Sequence, residues 1–141
     1  MSKKTEVTLA TRYLDLLSEE GYRPKLGPTH GCPVITFKHE GDEFLLFVDE
    51  DHETFFHLGI AYDLGPIDVP TALDRANQLN EELKVVKVTI AAEDRSVRFH
   101  VEAFLDQAPA RMEQVERSLG ALSNAAERFF EAPAPVRQLD A

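Results

Sequence analysis

VVKVTIAAEDRSVRFHVEAF, residues 85–104, is the stretch that decides the fold. Two runs of alternating apolar and polar residues, Val85 to Ala91 and Ser96 to Phe104, flank the charged turn Ala92 to Arg95. Because successive side chains of a strand point to opposite faces, this pattern predicts an antiparallel hairpin with one buried and one solvated face. The inward set is Val86, Val88, Ile90, Val97, Phe99 and Val101, and the outward set is Lys87, Thr89, Arg98, His100 and Glu102.

The strands predicted upstream of this hairpin are apolar on both faces. They are Val34 to Phe37, Phe44 to Val48, and Thr54 to about Tyr62, joined by turns at 40–43 and 49–53. In the second strand Phe44, Leu46 and Val48 lie on one side while Leu45 and Phe47 lie on the other, and Phe55 and Phe56 also point opposite ways. An apolar patch away from the helices needs a cover, which is the 22–33 loop with the tail, a second subunit or a client segment.

Three amphipathic helices complete the predicted order. The first spans residues 5–20, the second opens at Asp68 and Pro70 and runs to about Leu83, and the third starts at Pro109. The apolar stripe of the second is Leu73, Ala76, Leu79 or Asn80, and Leu83, and the seam of the third is Met112, Val115, Leu119, Leu122, Ala126 and Phe129. The sequence predicts an α+β fold of order α-β-β-β-α-β-β-α, with the helices mainly on one face of an antiparallel sheet.

Composition limits the classes of function. A chain of 141 residues is the size of one domain, expected at 1–131 with a loose Ala-Pro-rich tail at 132–141. The net charge of -10 would repel a nucleic-acid backbone. The single cysteine, Cys32, allows no internal disulfide, and there is no apolar signal or membrane-spanning run, so we expect a cytoplasmic protein that uses neither nucleic acid nor membrane.

No constellation in the sequence predicts catalysis, a metal or a cofactor. Asp49, Asp51 and Glu53 alternate like calcium ligands, but the glycine and the bidentate glutamate of such a loop are missing, and a solvated turn is the simpler interpretation. The five histidines show no zinc spacing. His30 and Cys32 are close in sequence, yet the Gly31 and Pro33 context favours a packed thiol over a nucleophile.

The chain resembles the YbjN-type domain family and, at the level of the fold, the type III secretion chaperones. The residues that carry this resemblance are Ala72 to Asn80, Lys87-Val88 and the hairpin end from Phe99 to Leu105. The resemblance implies a homodimer of small acidic subunits that has no cofactor and no catalytic residue. It also implies binding of an extended segment of a protein client across an apolar surface.

Two hypotheses of different classes follow. In the first, the chain is a non-catalytic protein-binding module, chaperone-like or regulatory and dimeric, whose partner-binding residues are Leu45, Phe47, Phe55 or Phe56, Met112 and Leu119. In the second, the polar face of the last hairpin serves a small-ligand sensor or enzyme. Its residues are Lys87, Arg98, His100 and Glu102, for which solvated cross-strand pairing is the simpler interpretation.

Overall fold

The computed structural model describes residues 7–27 and 32–131. In chain order the elements are α1 (Leu9–Glu19), β1 (Lys25–Leu26), β2 (Val34–His39), β3 (Asp42–Phe47), β4 (Phe55–Asp63), α2 (Val69–Glu82), β5 (Val86–Ala91), β6 (Ser96–Phe104) and α3 (Met112–Glu131). The predicted α+β class and the order of the larger elements are confirmed. The predicted tail at 132–141 lies outside the described residues.

All six strands form one antiparallel sheet, in the order β1-β2-β3-β4-β6-β5. The last hairpin follows the predicted register, with Val88 opposite Phe99 and Lys87 opposite His100. β4 runs along the whole length of β6, from Phe55 opposite Phe104 to Asp63 opposite Ser96. The prediction missed β1, because a two-residue strand confined between Pro24 and Gly27 has no periodicity to detect.

The core lies on one face of the sheet. Its largest fully buried side chains include Phe37, Phe44, Phe56, Phe99, Phe129, Leu58 and Leu119, and all of them belong to one cluster that the helices share with this face. The predicted inward set of β5 and β6 lies here, as do Phe44, Leu46 and Val48 of β3. The opposite face, called the open face below, carries the alternate residues of every strand.

The helices bury the faces that their sequences predicted, with two corrections. The seam of α3 packs into the core, so Val115, Leu119 and Phe129 are fully buried and not available to a partner. On α2 the buried stripe is Ala72, Ala76 and Leu79, while Leu73 is 52% exposed. The small alanines face the sheet because they let the helix backbone approach it closely, which turns Leu73 to the outside.

The helix boundaries have local causes. The carboxylate of Asp68 accepts a hydrogen bond from the Thr71 N–H and begins α2, as predicted, with Pro70 in its first turn. α1 begins at Thr8, whose hydroxyl accepts from the Thr11 N–H. It ends at Gly21, where φ is +96°, a conformation that glycine adopts without strain. α3 begins at Met112, three residues after the predicted start.

Distant parts of the chain hold α1 in place. The Glu50 carboxylate accepts hydrogen bonds from the N–H groups of Leu9 (2.9 Å) and Ala10 (3.1 Å) at the start of the helix. Further along, the Tyr13 hydroxyl accepts from the Ala110 N–H at 2.9 Å, just before α3. The helix is therefore fixed at one end by the β3–β4 turn and at its middle by the segment that leads into the last helix.

Candidate functional site

The open face brings together side chains from β3, β4 and β6 that are far apart in sequence. The register places Phe47 opposite His57, and Leu45 opposite Gly59. The pairing of β4 with β6 also places Phe55, the first residue of β4, opposite Phe104, the last residue of β6. Because paired residues in a sheet point to the same side, these side chains share one surface. Residues Leu45, Phe47, Phe55 and Phe104 are named the aromatic patch below.

The aromatic patch continues through ring contacts into a pair of histidines. The Phe47 ring stacks on the His57 ring with centroids 4.3 Å apart and an interplanar angle of 29°. Phe55 lies 6.1 Å from His57 and 6.0 Å from Phe104. Leu45, Phe47 and Phe55 are half-buried, whereas Phe104 is 87% exposed. An exposed phenylalanine next to other apolar side chains is typical of an interaction surface.

The two histidines form a hydrogen bond across strands β4 and β6. His57 Nε2 and His100 Nδ1 are 2.9 Å apart, so one neutral ring donates its N–H and the other accepts. Burial lowers the pKa of His57. The pKa of His100 is lowered to about 4, mainly by burial and secondly by the nearby His57. Both rings are therefore neutral at pH 7, and we call them the histidine pair.

The polar residues predicted on this face occupy two separate interactions. Lys87 forms an ion pair with Glu102, and the hydrogen bond from Lys87 is the main reason that the pKa of Glu102 is lowered. Arg98 instead pairs with Asp94 of the adjoining turn at 2.9 Å. The structure thus brings Lys87, His100 and Glu102 together, and it places Arg98 on the same face but directed to another partner.

A shallow hollow lies where the apolar and polar parts of the open face meet. Its volume is about 300 Å³, and its lining includes Leu45, Phe47, Gly59, Ala61, Arg98 and His100. A Cβ at position 59 would lie 3.1 Å from the Phe99 carbonyl oxygen and 3.2 Å from His100 Nδ1. The glycine therefore makes room for the histidine pair and leaves the floor of the hollow open.

Three of the residues predicted to bind a partner lie away from the open face. Phe56 and Leu119 are fully buried, and Met112 is half-buried against the core. The prediction left the choice between Phe55 and Phe56 open, and the pairing of Phe55 with Phe104 places Phe55 outside and Phe56 inside. Phe56 and Leu119 are corrected to core residues, because a side chain with no exposed area cannot contact a partner.

His57 and Phe104 were not among the residues predicted for this site. Phe104 was included in the predicted hairpin, and its outward position follows from the same alternation that predicted Glu102. His57 required knowledge that β4 is the neighbour of β6, and no local pattern gives that information.

The other residues considered for metal binding or catalysis, in the acidic turn and at Cys32, make contacts that stabilise the local structure. Asp49 accepts hydrogen bonds from the N–H groups of Asp51 and His52 and so closes the acidic turn. The Cys32 thiol donates to the Val48 carbonyl oxygen, and burial, followed by Asp49 and Glu50, raises its pKa. His30 lies outside the described residues. Within residues 7–27 and 32–131, no group of three or more histidine, cysteine or acidic side chains is arranged to hold a metal ion.

None of the helices in the described part of the chain is both long and apolar enough to cross a membrane. No curated protein matches the sequence. Among solved structures, the crystal structure of YbjN from E. coli, described as a putative transcription regulator, matches with a TM-score of 0.61 and 16% sequence identity. The match covers 83% of this chain and 86% of that chain, and at this identity it shows a shared fold.

A family model matches residues 14–133, and its description is "YbjN: Putative bacterial sensory transduction regulator". This match spans most of the 141 residues. The chain therefore belongs to the YbjN family.

Proposed function

We propose that this chain is a non-catalytic regulatory module of the protein-binding type, and that it works as a homodimer joined through the open face. The observation that carries the proposal is the aromatic patch, in which a largely exposed Phe104 adjoins three half-buried apolar side chains. The family description as a sensory transduction regulator supports a regulatory role. A chaperone-like mode, in which the dimer holds a protein client, is part of the proposal.

The charges of the open face support a second copy as its occupant. Its strand positions carry four cations and three carboxylates, namely Lys25, Lys38, Lys87 and Arg98 with Glu43, Asp63 and Glu102. The chain as a whole has a net charge of -10, so most of its surface repels another copy. A face that is apolar at one end and nearly balanced in charge is the region where two acidic subunits approach at the lowest electrostatic cost.

The aromatic patch has the character of an interface centre. Burying an exposed phenylalanine or leucine contributes roughly 1.5–3 kcal/mol relative to leaving it in water. Because Leu45, Phe47 and Phe55 are already half-buried, each gains only part of this amount, whereas Phe104 gains most of it. Aromatic side chains at the centre of an interface, surrounded by polar residues, usually carry most of the binding energy.

The test is the solution mass of the Leu45→Asp, Phe47→Asp double variant, measured by light scattering. We expect the parent chain to be a dimer with little binding of a dye for apolar surfaces, and the variant to be a folded monomer by circular dichroism. The matched control is Leu73→Asp with Asn77→Asp, because both residues are exposed on α2 and belong to no strand of the open face. A monomeric parent, or a double variant that stays dimeric, would contradict the proposal.

The hollow beside His100 favours a second candidate, a sensor of small anionic ligands. Arg98 and His100 line it together with the uncovered floor at Gly59. Under this alternative, citrate or inorganic phosphate would raise the unfolding temperature of the parent chain, and Arg98→Gln would abolish the increase. An equal increase in the parent and in Arg98→Gln would exclude the hollow as the binding site.

A further inference from the structure

A second hollow lies at the β1–β2 edge of the sheet, where Thr36 of its lining is the strand partner of Leu45. Its volume is about 410 Å³, and it is lined by Gly21, Tyr22, Arg23, Lys25, Thr36, Phe37, Lys38 and Glu43. The Tyr22 and Phe37 rings contact each other edge to face at 5.2 Å and form its aromatic part. Three exposed cations, Arg23, Lys25 and Lys38, surround these rings. We call this site the basic hollow.

Within the described residues, the cations of the basic hollow share their lack of partners with Lys84, Arg111 and Arg117, and they differ from these in lying together around one hollow. Elsewhere Lys87, Arg98 and Arg128 form ion pairs, and Arg12, Arg75 and Arg95 donate to backbone carbonyl oxygens. Across residues 7–27 and 32–131, Arg23, Lys25 and Lys38 make neither an ion pair nor a side-chain hydrogen bond. A chain with 25 acidic residues nevertheless leaves three neighbouring cations unpaired.

Because acidic groups surround the basic hollow, an anionic ligand is attracted by its cations only in direct contact with them. Burial raises the pKa of Tyr22, and Glu116, Glu20 and Glu40 raise it further, so carboxylates lie near this hydroxyl. Because the net charge of the chain is also negative, long-range attraction does not bring an anion to the hollow. Selectivity has to come from short-range contact of anionic groups with the cations and of apolar groups with the Tyr22 ring.

The edge position also makes backbone groups accessible. The ladder between β1 and β2 consists of Lys25 opposite Thr36 and Leu26 opposite Ile35, so Lys38 lies beyond its end. At the other edge of the sheet, the Asn80 side chain donates to the Val88 carbonyl oxygen at 2.9 Å and accepts from the Val88 N–H at 2.8 Å. The β5 edge is therefore occupied at its middle, whereas no side chain of residues 7–27 and 32–131 makes a hydrogen bond to the backbone of Lys25 or Leu26.

We propose that the basic hollow binds an acidic segment of a partner protein, with carboxylates on Arg23, Lys25 and Lys38 and an apolar side chain on the Tyr22 ring. The acidic turn of a second copy is a poor occupant, because Glu50 already holds α1 and Asp49 already closes the turn. The inference goes beyond the proposed function, since it concerns a protein ligand at the β1–β2 edge, where Lys25 and Lys38 lie on the same side of the sheet as the aromatic patch.

The experiment measures fluorescence anisotropy of a fluorescein-labelled peptide of alternating glutamate and valine, with a lysine–valine peptide as the comparison. We expect the acidic peptide to bind and the basic peptide not to bind. Lys25→Glu with Lys38→Glu should weaken binding by about tenfold or more. The matched control is Lys84→Glu with Arg117→Glu, which makes the same change in net charge outside the hollow and should leave affinity within about threefold of the parent.

Four outcomes would overturn the proposal. The acidic peptide does not bind, or the two double variants lose affinity equally, which would indicate an effect of net charge alone. Tripolyphosphate displaces the labelled peptide at lower concentration than unlabelled acidic peptide does, which would indicate a phosphate ligand. Finally, Phe47→Ala with Phe104→Ala, which changes no charge, abolishes peptide binding, which would place the peptide on the aromatic patch. Circular dichroism of each variant confirms that the chain is folded.

Discussion

The histidine pair shows how a single register position determines the chemistry of a residue. His57 lies diagonally across from His100 because Gly59 is the direct partner of His100. Phe47 covers one side of His57, and Glu102, Lys87 and Arg98 supply the nearby charges. Burial outweighs the attraction of Glu102, so both rings keep pKa values below the ordinary value of 6.5. The pair is therefore neutral at pH 7.

The histidine pair predicts a loss of stability in mild acid. Because these pKa values are lowered on folding, the unfolded chain binds more protons, and stability falls as pH drops from about 6.5 towards 4. After allowance for solvent screening of half-buried groups, we expect the loss to be about 1–2 kcal/mol. His100→Gln should remove much of this pH dependence in urea unfolding between pH 6.5 and 4.5, whereas His52→Gln, at an exposed histidine, should keep it.

The carboxylates with lowered pKa values titrate at lower pH than the histidine pair, so their effect on stability can be separated from that of the histidines. Hydrogen bonds from Thr71 and Ser96 lower the pKa values of Asp68 and Asp94, and the hydrogen bond from Lys87 lowers that of Glu102. The stability that these carboxylates contribute is lost only at lower pH, as the pH falls through about 4 and below. Equal slopes for the parent and His100→Gln above pH 4.5 would therefore show that the histidine pair does not titrate as described.

At the scale of elements, the start of α1 depends on a side chain from the β3–β4 turn. The N–H groups at the beginning of a helix lack partners within the helix, and the Glu50 carboxylate binds two of them. A negative charge at this end also interacts favourably with the helix dipole. The acidic turn, which the sequence showed only as a cluster of charge, thus has a structural role.

Glu50→Ala should destabilise the fold by about 1–2 kcal/mol, because it leaves the Leu9 and Ala10 N–H groups without their acceptor. Glu50→Gln should cost less, since the amide oxygen still accepts one hydrogen bond. The measurement is the midpoint of urea unfolding. Glu53→Ala, at an exposed glutamate of the same turn, is the control, and an equal effect of both alanine variants would argue against the capping role.

Asn80 should protect the β5 edge in a comparable way. Asn80→Ala removes the donor and the acceptor for Val88, and we expect a loss of about 1–2 kcal/mol in the free energy of unfolding. The exposed edge should also exchange faster, so the Val88 amide should lose protection in hydrogen exchange. Asn77→Ala, one turn earlier on the exposed side of α2, should change neither quantity.

The elements were largely predictable from sequence, and the pairing of distant elements was not. The hairpin of β5 and β6 was predicted with its faces, because both strands and their turn lie within twenty residues of the chain. The neighbours β4 and β6 are separated by α2 and β5, so the histidine pair could not be foreseen. Likewise, the spacing of Leu119 in α3 predicted an apolar contact without saying whether the core or a partner provides it.

At the scale of the whole molecule, charge is distributed unevenly over surfaces with different roles. The open face is nearly balanced, the basic hollow is locally positive, and the chain in total carries a net charge of -10. Two copies that meet through the open face therefore repel each other through the rest of their surfaces. This repulsion acts over distances comparable to the Debye length.

The proposed dimer should therefore become tighter as ionic strength rises. Between about 50 and 500 mM sodium chloride the Debye length falls from roughly 14 to 4 Å, so the repulsion between two acidic subunits is largely screened. We expect the dimer dissociation constant to fall over this range, measured by sedimentation at several concentrations. A dissociation constant that rises with salt would mean that ion pairs between the subunits, and not the aromatic patch, hold the dimer together.

The two attachments of α1 have a consequence for the chain as it emerges from the ribosome. The first partner of the helix, Glu50, is synthesised early, but the second, the Ala110 N–H that binds Tyr13, comes some sixty residues later. Until then, the whole sheet can be present while the hydrogen bonds at the middle of α1, which Arg12 and Tyr13 make to Ala108 and Ala110, are absent. The earliest helix to be made thus waits for nearly the entire domain, and a nascent chain shorter than about 110 residues leaves the Tyr13 contact unmade.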